Sequence, residues 1–172
     1  MRSIQTLAVC ALLLCSAASA AAQQTIFVVR HAERADTAAA GAPAMIAPAT
    51  DPPLSAAGHE RAARLASMLR SADITHIFTT EFRRTQETAA PLAKQLKLTP
   101  VISPSKDSAP LVEQVRQLKG SALIVGHSNT IPDLLKRLGI KDAVTIPDAE
   151  YDNLFIVVRP AAGEPTLVRL RF

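Results

Sequence analysis

Short apolar runs alternate with stretches of helical spacing along this chain, and that alternation limits the possible folds more than any other feature. Ile26 to Val29 reads as a buried strand that runs straight into Arg30 and His31. Ile74 to Thr79, Val101 with Ile102, and Ala122 to Val125 repeat the pattern. Helical stretches lie between them. Ser55 is a natural N-cap ahead of Ala62, Leu65, Ala66 and Leu69. Glu81 to Leu98 carries apolar Ala89, Leu92, Ala93 and Leu96, with Pro91 expected to kink the helix or delay its regular start. Gly58, in the first turn after Ser55, suggests a close approach of another backbone. Leu111, Val115 and Leu118 mark a third helix closed by Gly120. Ile131 to Leu138 marks a fourth, with Gly139 as its C-cap. Asn153 to Val158 and Thr166 to Leu170, joined by a turn over Pro160 to Pro165, read as an antiparallel pair at a sheet edge. The whole predicts an α/β fold: a three-layer α/β/α sandwich with a mostly parallel central sheet. No internal repeat or second domain is visible.

The N-terminal segment is read apart from the fold. Arg2, the apolar run Leu7 to Leu14 and the small residues Ala18 to Ala22 form the pattern of a secretory signal peptide, too short for a membrane span. Residues 1–22 are therefore expected to be removed, leaving 23–172 as one domain, periplasmic or secreted, with no stable membrane anchor. Cys10 and Cys15 both lie in that segment. The remainder then has no disulfide, thiol nucleophile or thiolate metal site. The formal charge of +4 suits a small anionic ligand. With no Trp and a single Tyr, a stacking platform for single-stranded nucleic acid is not expected. Ala35 to Pro53, rich in Ala and Pro, reads as a long loop that helps select the ligand.

Three segments place polar groups just after strands: Arg30-His31, Thr79 to Thr85 with Arg83 and Arg84, and Gly126-His127-Ser128-Asn129. In a parallel sheet the C-terminal strand ends share one edge and one crevice. A lone Arg-His pair fits equally well a strand that simply ends at the surface. Three such segments point to convergence. Arginine presents a fork of donors that matches phosphate oxygens. Neutral imidazole can attack phosphorus, and a protonated second imidazole can stabilise the equatorial oxygens. The set describes metal-independent phosphoryl transfer through phosphohistidine, with no cofactor. Guanidinium groups beside the two His repel a metal cation. Ser128 is not read as a hydrolase nucleophile, because the Gly-x-Ser-x-Gly elbow is absent. His59 and His76 have no partner motif and read as surface or capping residues.

The chain resembles the histidine phosphatase superfamily, the phosphoglycerate mutase-like family. Val-Val-Arg30-His31-Ala-Glu is similar to its Arg-His signature. Leu54-Ser55-Ala-Ala-Gly58, the block from Thr79 to Ala89, and Ile124-Val125-Gly126-His127 follow in the family's order. The resemblance implies His31 as nucleophile and Arg30, Arg84 and His127 as the phosphate pocket. It prefers Arg84, four residues before Thr88, to Arg83, which flanks the pocket within the motif or else lies on a solvated helix face. The chain departs from the family at Ala32, Thr37 and Ser128, and no general acid is assigned; Glu33, Glu81 and Asp107 are candidates. The implied function is phosphomonoester hydrolysis of a small phosphorylated substrate. Two alternatives stay open: a phosphohistidine-protein phosphatase, and a phosphate- or sugar-phosphate-binding protein with little turnover.

Overall fold

The computed structural model describes residues 23–35 and 51–172. The segment read as a signal peptide, 1–22, and residues 36–50 of the expected loop, Thr37 among them, lie outside the described residues. Strands and helices alternate as β1 (Gln24–Arg30), α1 (Ala56–Leu69), β2 (Ile74–Thr79), α2 (Arg83–Leu96), β3 (Val101–Ile102), α3 (Ala109–Gln117), β4 (Ser121–Gly126), α4 (Ile131–Arg137), β5 (Asn153–Arg159) and β6 (Thr166–Arg171). The strands form one sheet in the order β3-β2-β4-β1-β5-β6. From β3 to β1 the pairings are parallel. β5 runs antiparallel to β1 and β6 antiparallel to β5, so the expected antiparallel pair does sit at an edge.

The three layers follow from the period-two alternation of β-strand side chains. Ile26 and Val28 of β1 pack, with Ile124 and Phe155, against Leu111 and Val115 of α3 and Ile131 and Leu135 of α4. Phe27 and Val29 pack, with Leu123 and Val125, against Leu65 and Leu69 of α1 and Ala89 and Leu92 of α2. Both faces of β1 and β4 are therefore covered. This is why their sequences are continuous apolar runs and do not alternate with polar residues.

Two local features position the functional edge. Ser55 Oγ accepts from Gly58 N at 3.1 Å and caps α1. Gly58 is required by a close approach: a Cβ there would lie 2.3 Å from the Glu33 carbonyl oxygen. α2 starts at Arg83, where both carboxylate oxygens of Asp51 accept from the Arg83 N–H at 3.0 and 3.1 Å. An acidic group at a helix N-terminus also favours the helix dipole. Pro91 does not delay that start, since α2 runs from Arg83 through it to Leu96. Its missing N–H costs one helical bond, but buried Ala89, Leu92 and Ala93 anchor the helix on both sides of it.

Register then brings the strand ends together. Arg30 of β1 stands opposite Gly126 of β4, and Phe78 of β2 stands opposite Ile124. His31 N donates to Gly126 O at 2.9 Å as the two chains leave the sheet. His31, His127 and Thr80 thus emerge at one edge, from three neighbouring strands.

Candidate active site

His31 is buried at the end of β1. Its Nδ1 lies 2.8 Å from the Ala32 carbonyl oxygen. A carbonyl only accepts, so Nδ1 carries the proton and Nε2 keeps the lone pair. Burial pushes the His31 pKa down to about 3; the Ala32 bond opposes this, while His127, Arg30 and Arg84 add to it. The imidazole is therefore neutral well below neutral pH. The next residue is fixed as well: Ala32 N donates to Thr88 Oγ1 at 2.9 Å, and Thr88 Oγ1 donates to Arg84 O at 2.6 Å. One threonine of α2 ties the His31 loop to the turn that carries Arg84.

The His127 ring meets His31 edge-on, with centroids 5.4 Å apart. Its Nε2 shares a hydrogen bond of 3.0 Å with Thr80 Oγ1, which is bonded in turn to Thr85 Oγ1 at 3.0 Å. Burial and then Arg84 push the His127 pKa down to about 4, with Glu81 pulling in the opposite direction.

Arg30 is buried, and its Nη1 donates to the carbonyls of Pro147, Asp148 and Glu150 at 3.2, 2.9 and 3.0 Å. Its guanidinium carbon sits 4.0 Å from the centroid of the Tyr151 ring. Nε of Arg30 is buried and has no hydrogen-bond partner among the described residues. With Nη1 occupied, the Nε side of the fork is left for an oxyanion. Arg84 packs over Phe82, 4.1 Å to the ring centroid, with Asp51 Oδ1 at 3.6 Å from its Nη1. Arg83 points to solvent and pairs with Glu87 at 2.9 Å.

Arg30, His31, Arg84 and His127 line one open pocket of about 360 Å³, together with Arg34, Ser128, Asn129, Asp148 and Tyr151. That volume suits a small ligand. Two imidazoles among three guanidiniums suit an anion and would repel a metal cation.

The three candidate acids are placed differently. Glu33 points to α1, where Arg61 Nε and Nη2 reach its carboxylate at 2.9 and 2.6 Å. Burial raises its pKa, but the Arg61 bonds prevail and hold it below the usual carboxylate range. Glu81 accepts from the N–H and hydroxyl of Ser105 at 2.9 and 2.7 Å. Those bonds outweigh its burial and lower its pKa; it acts on His127 only through its field. Asp107 accepts from Ala109 N at 2.9 Å at the start of α3. None of the three lines the pocket.

Sequence reasoning did not single out Arg34, Asn129, Asp148 or Tyr151. Arg34 lies just past the Arg30-His31 pair, and Asn129 was read only as part of the polar segment after β4, so proximity to His31 and His127 was an available signal. Asp148 and Tyr151 lie in the segment before β5, which carries no periodicity. Tyr151 is the only tyrosine of the chain, and nothing in its neighbours reveals a partner 121 positions upstream.

The family model for the histidine phosphatase superfamily (branch 1) matches residues 26–105. Over these residues the chain matches the histidine phosphatase superfamily. The match includes Arg30, His31 and Arg84; His127 lies beyond it and reaches the pocket through the parallel pairing of β4 with β1. The fold agrees. A structure of the protein histidine phosphatase SixA complexed with tungstate superposes with a TM-score of 0.66 at 19% identity, covering 86% of this chain and 96% of that one. A putative alpha-ribazole-5'-P phosphatase from Escherichia coli gives 0.64 at 16% identity, covering 87% and 96%. A mycobacterial glucosyl-3-phosphoglycerate phosphatase complexed with VO3 gives 0.64 at 14% identity, covering 86% and 98%. No curated protein matches the sequence significantly. The match to the histidine phosphatase superfamily supports phosphatase chemistry for this chain.

Proposed function

We propose that this histidine phosphatase hydrolyses a small phosphomonoester without a metal, through a phosphohistidine on His31. The observation that carries the proposal is the tautomer of His31. Its proton is held on Nδ1 by Ala32 O, and its low pKa keeps Nε2 free to attack. In the first step Nε2 bonds to phosphorus as the ester P–O bond breaks. In the second step water attacks phosphorus, the N–P bond breaks, and inorganic phosphate leaves.

Arg30 and Arg84 bind the phosphoryl oxygens. Arg30 is held for this by three carbonyls and Tyr151, so its fork needs no reorganisation at the moment of reaction. His127 supplies a further donor. In the empty pocket burial and Arg84 keep it neutral. A bound phosphate reverses the local charge and favours the imidazolium. The imidazolium then stabilises the equatorial oxygens as charge moves in the transition state.

The likeness to the protein histidine phosphatase SixA favours a second reading, in which the phosphoryl donor is a phosphohistidine on a protein. Residues 1–22 support export, which argues for a small ester outside the cytoplasm over a cytosolic phosphoprotein. The tests are direct. The chain without residues 1–22 is assayed with a chelator present, on an aryl phosphate and on a phosphohistidine protein. The proposal expects chelator-resistant hydrolysis of the aryl ester that His31→Ala abolishes. Turnover of the phosphoprotein alone favours the second reading. Tight tungstate binding with no turnover of either substrate favours a binding protein.

A further inference from the structure

The pocket contains one carboxylate among the described residues that line it, and it is none of the three suggested by the sequence. Asp148 sits at the pocket mouth on the segment before β5. Its backbone is fixed to the phosphate grip, because its own carbonyl accepts from Arg30 Nη1 at 2.9 Å. The neighbouring carbonyls of Pro147 and Glu150 accept from the same nitrogen. The side chain faces the opposite wall, where Ser128 Oγ lies 3.4 Å from Oδ1. Ser128 directly follows His127. Asp148 is thus tied through its backbone to Arg30 and through its carboxylate to the His127 turn, in the pocket that His31 also lines.

Hydrolysis of an ordinary ester needs a proton for the leaving oxygen, and the donor must reach that oxygen. The leaving group departs on the side opposite the attacking nitrogen, since the two are roughly in line through phosphorus. His31 is a buried member of the pocket lining and Asp148 an exposed one, so a leaving oxygen directed away from His31 and toward solvent is on the side where Asp148 can meet it. Glu33, Glu81 and Asp107 are each engaged elsewhere by Arg61, Ser105 and the start of α3.

We propose that Asp148 is the acid-base group of this site, positioned by Ser128; this rests on the reading of His31 as nucleophile. In the first step the Nε2–P bond forms, the P–O bond to the leaving group breaks, and the Asp148 carboxyl proton passes to the departing oxygen. The products are a free alcohol and an Asp148 carboxylate. In the second step the oxygen of water bonds to phosphorus and the N–P bond breaks. The proton from water returns to Asp148, and phosphate leaves with His31 neutral.

The test is a series of aryl phosphates, from p-nitrophenyl to unsubstituted phenyl phosphate, with wild type, Asp148→Asn, Ser128→Ala and Glu81→Gln. A nitrophenolate leaves without a proton, whereas phenolate needs one. In kcat/KM, which reports only the phosphoryl transfer to His31 and not the later attack of water, Asp148→Asn is expected to lose about 10²–10⁴-fold more on the phenyl ester than on the nitrophenyl ester. Ser128→Ala is expected to show a smaller loss in the same direction. Thermal melting and tungstate binding check that each variant is folded and keeps the anion pocket. An equal loss in kcat/KM on both esters, or none on either, overturns the assignment while leaving the phosphatase reading intact. Leaving-group dependence in Glu81→Gln in place of Asp148→Asn overturns it as well. A wild type inactive on the whole series overturns the phosphatase reading, and this assignment with it. Should Asp148→Asn fail to fold, Asp148→Glu replaces it, and a leaving-group dependence unchanged from wild type in both Asp148→Glu and Ser128→Ala overturns the assignment.

Discussion

Gly58→Ala is the most informative single change for the link between packing and activity. Helix propensity alone favours it, since Ala is better than Gly in a helix by about 0.8–1.0 kcal/mol. The structure reverses the sign. The new Cβ would lie 2.3 Å from the Glu33 carbonyl oxygen and 3.2 Å from its carbonyl carbon and nitrogen, whereas real Cβ contacts essentially never fall below 3.0 Å. The obstacle is backbone, so no side chain can swing aside. The Glu33 peptide is held from the other side, because its oxygen accepts from Ser55 N at 2.9 Å. Either α1 or the segment from His31 to Glu33 must shift. Overpacking of this kind costs about 1–3 kcal/mol. Glu33 is two residues from His31, and a misplacement of about 1 Å near the chemistry can cost about 100-fold in rate. Two readings check this: the melting temperature, and the kcat for p-nitrophenyl phosphate. Both are expected to fall. A variant that melts at or above wild type with unchanged kcat would refute the reasoning, because propensity would then have outweighed contact with the Glu33 backbone.

Other perturbations test separate parts of the site. Arg84→Ala removes one phosphate donor and is expected to lower kcat/KM about 10²–10³-fold with little change in melting; a larger drop in melting than in activity would make Arg84 structural. Thr88→Val leaves the buried Ala32 N–H without an acceptor, at about 1–3 kcal/mol, and lowers kcat by loosening the His31 loop; urea melts and kinetics report both. The low His31 and His127 pKa values set an acid sensitivity. The unfolded chain takes up these protons below about pH 6.5 and the folded chain only near pH 4 and 3, so stability is lost as pH falls through that window and is unaffected above it. At pH 5 the loss is about 2 kcal/mol per histidine. Urea melts at pH 7.5 and pH 5 should therefore differ less in the His31→Ala, His127→Ala double variant than in wild type; an equal difference would contradict it.

The legible parts of this chain were those with a local physical signature. The doubly buried runs of β1 and β4 announced a covered parallel sheet, and the polar residues after them announced the edge where His31 and His127 come together. Gly58 stood out because glycine in a first helical turn needs a reason, and the Glu33 carbonyl supplies it. Arg84 lines the pocket, packed on Phe82, while Arg83 pairs with Glu87 in solvent. What stayed hidden was pairing at a distance. Nothing local to Arg30 tells that its Nη1 is held by carbonyls of residues 147, 148 and 150. The Asp51 cap of α2 and the Arg61 clamp on Glu33 are likewise long-range contacts between ordinary surface residue types. The start of α2 was not delayed by Pro91 for a related reason: a local rule about one missing N–H could not weigh the tertiary packing on either side of it.

The account stands on a covalent phosphoryl group at His31 Nε2. The direct measurement is to mix enzyme with an aryl phosphate, quench within the first turnovers under alkaline conditions that preserve phosphohistidine, and locate the modified peptide by mass spectrometry. The account predicts a phosphorylated peptide containing His31, formed and lost on the timescale of turnover and absent in His31→Ala. A phosphoryl group on another residue, or steady hydrolysis by the His31→Ala enzyme, would contradict it.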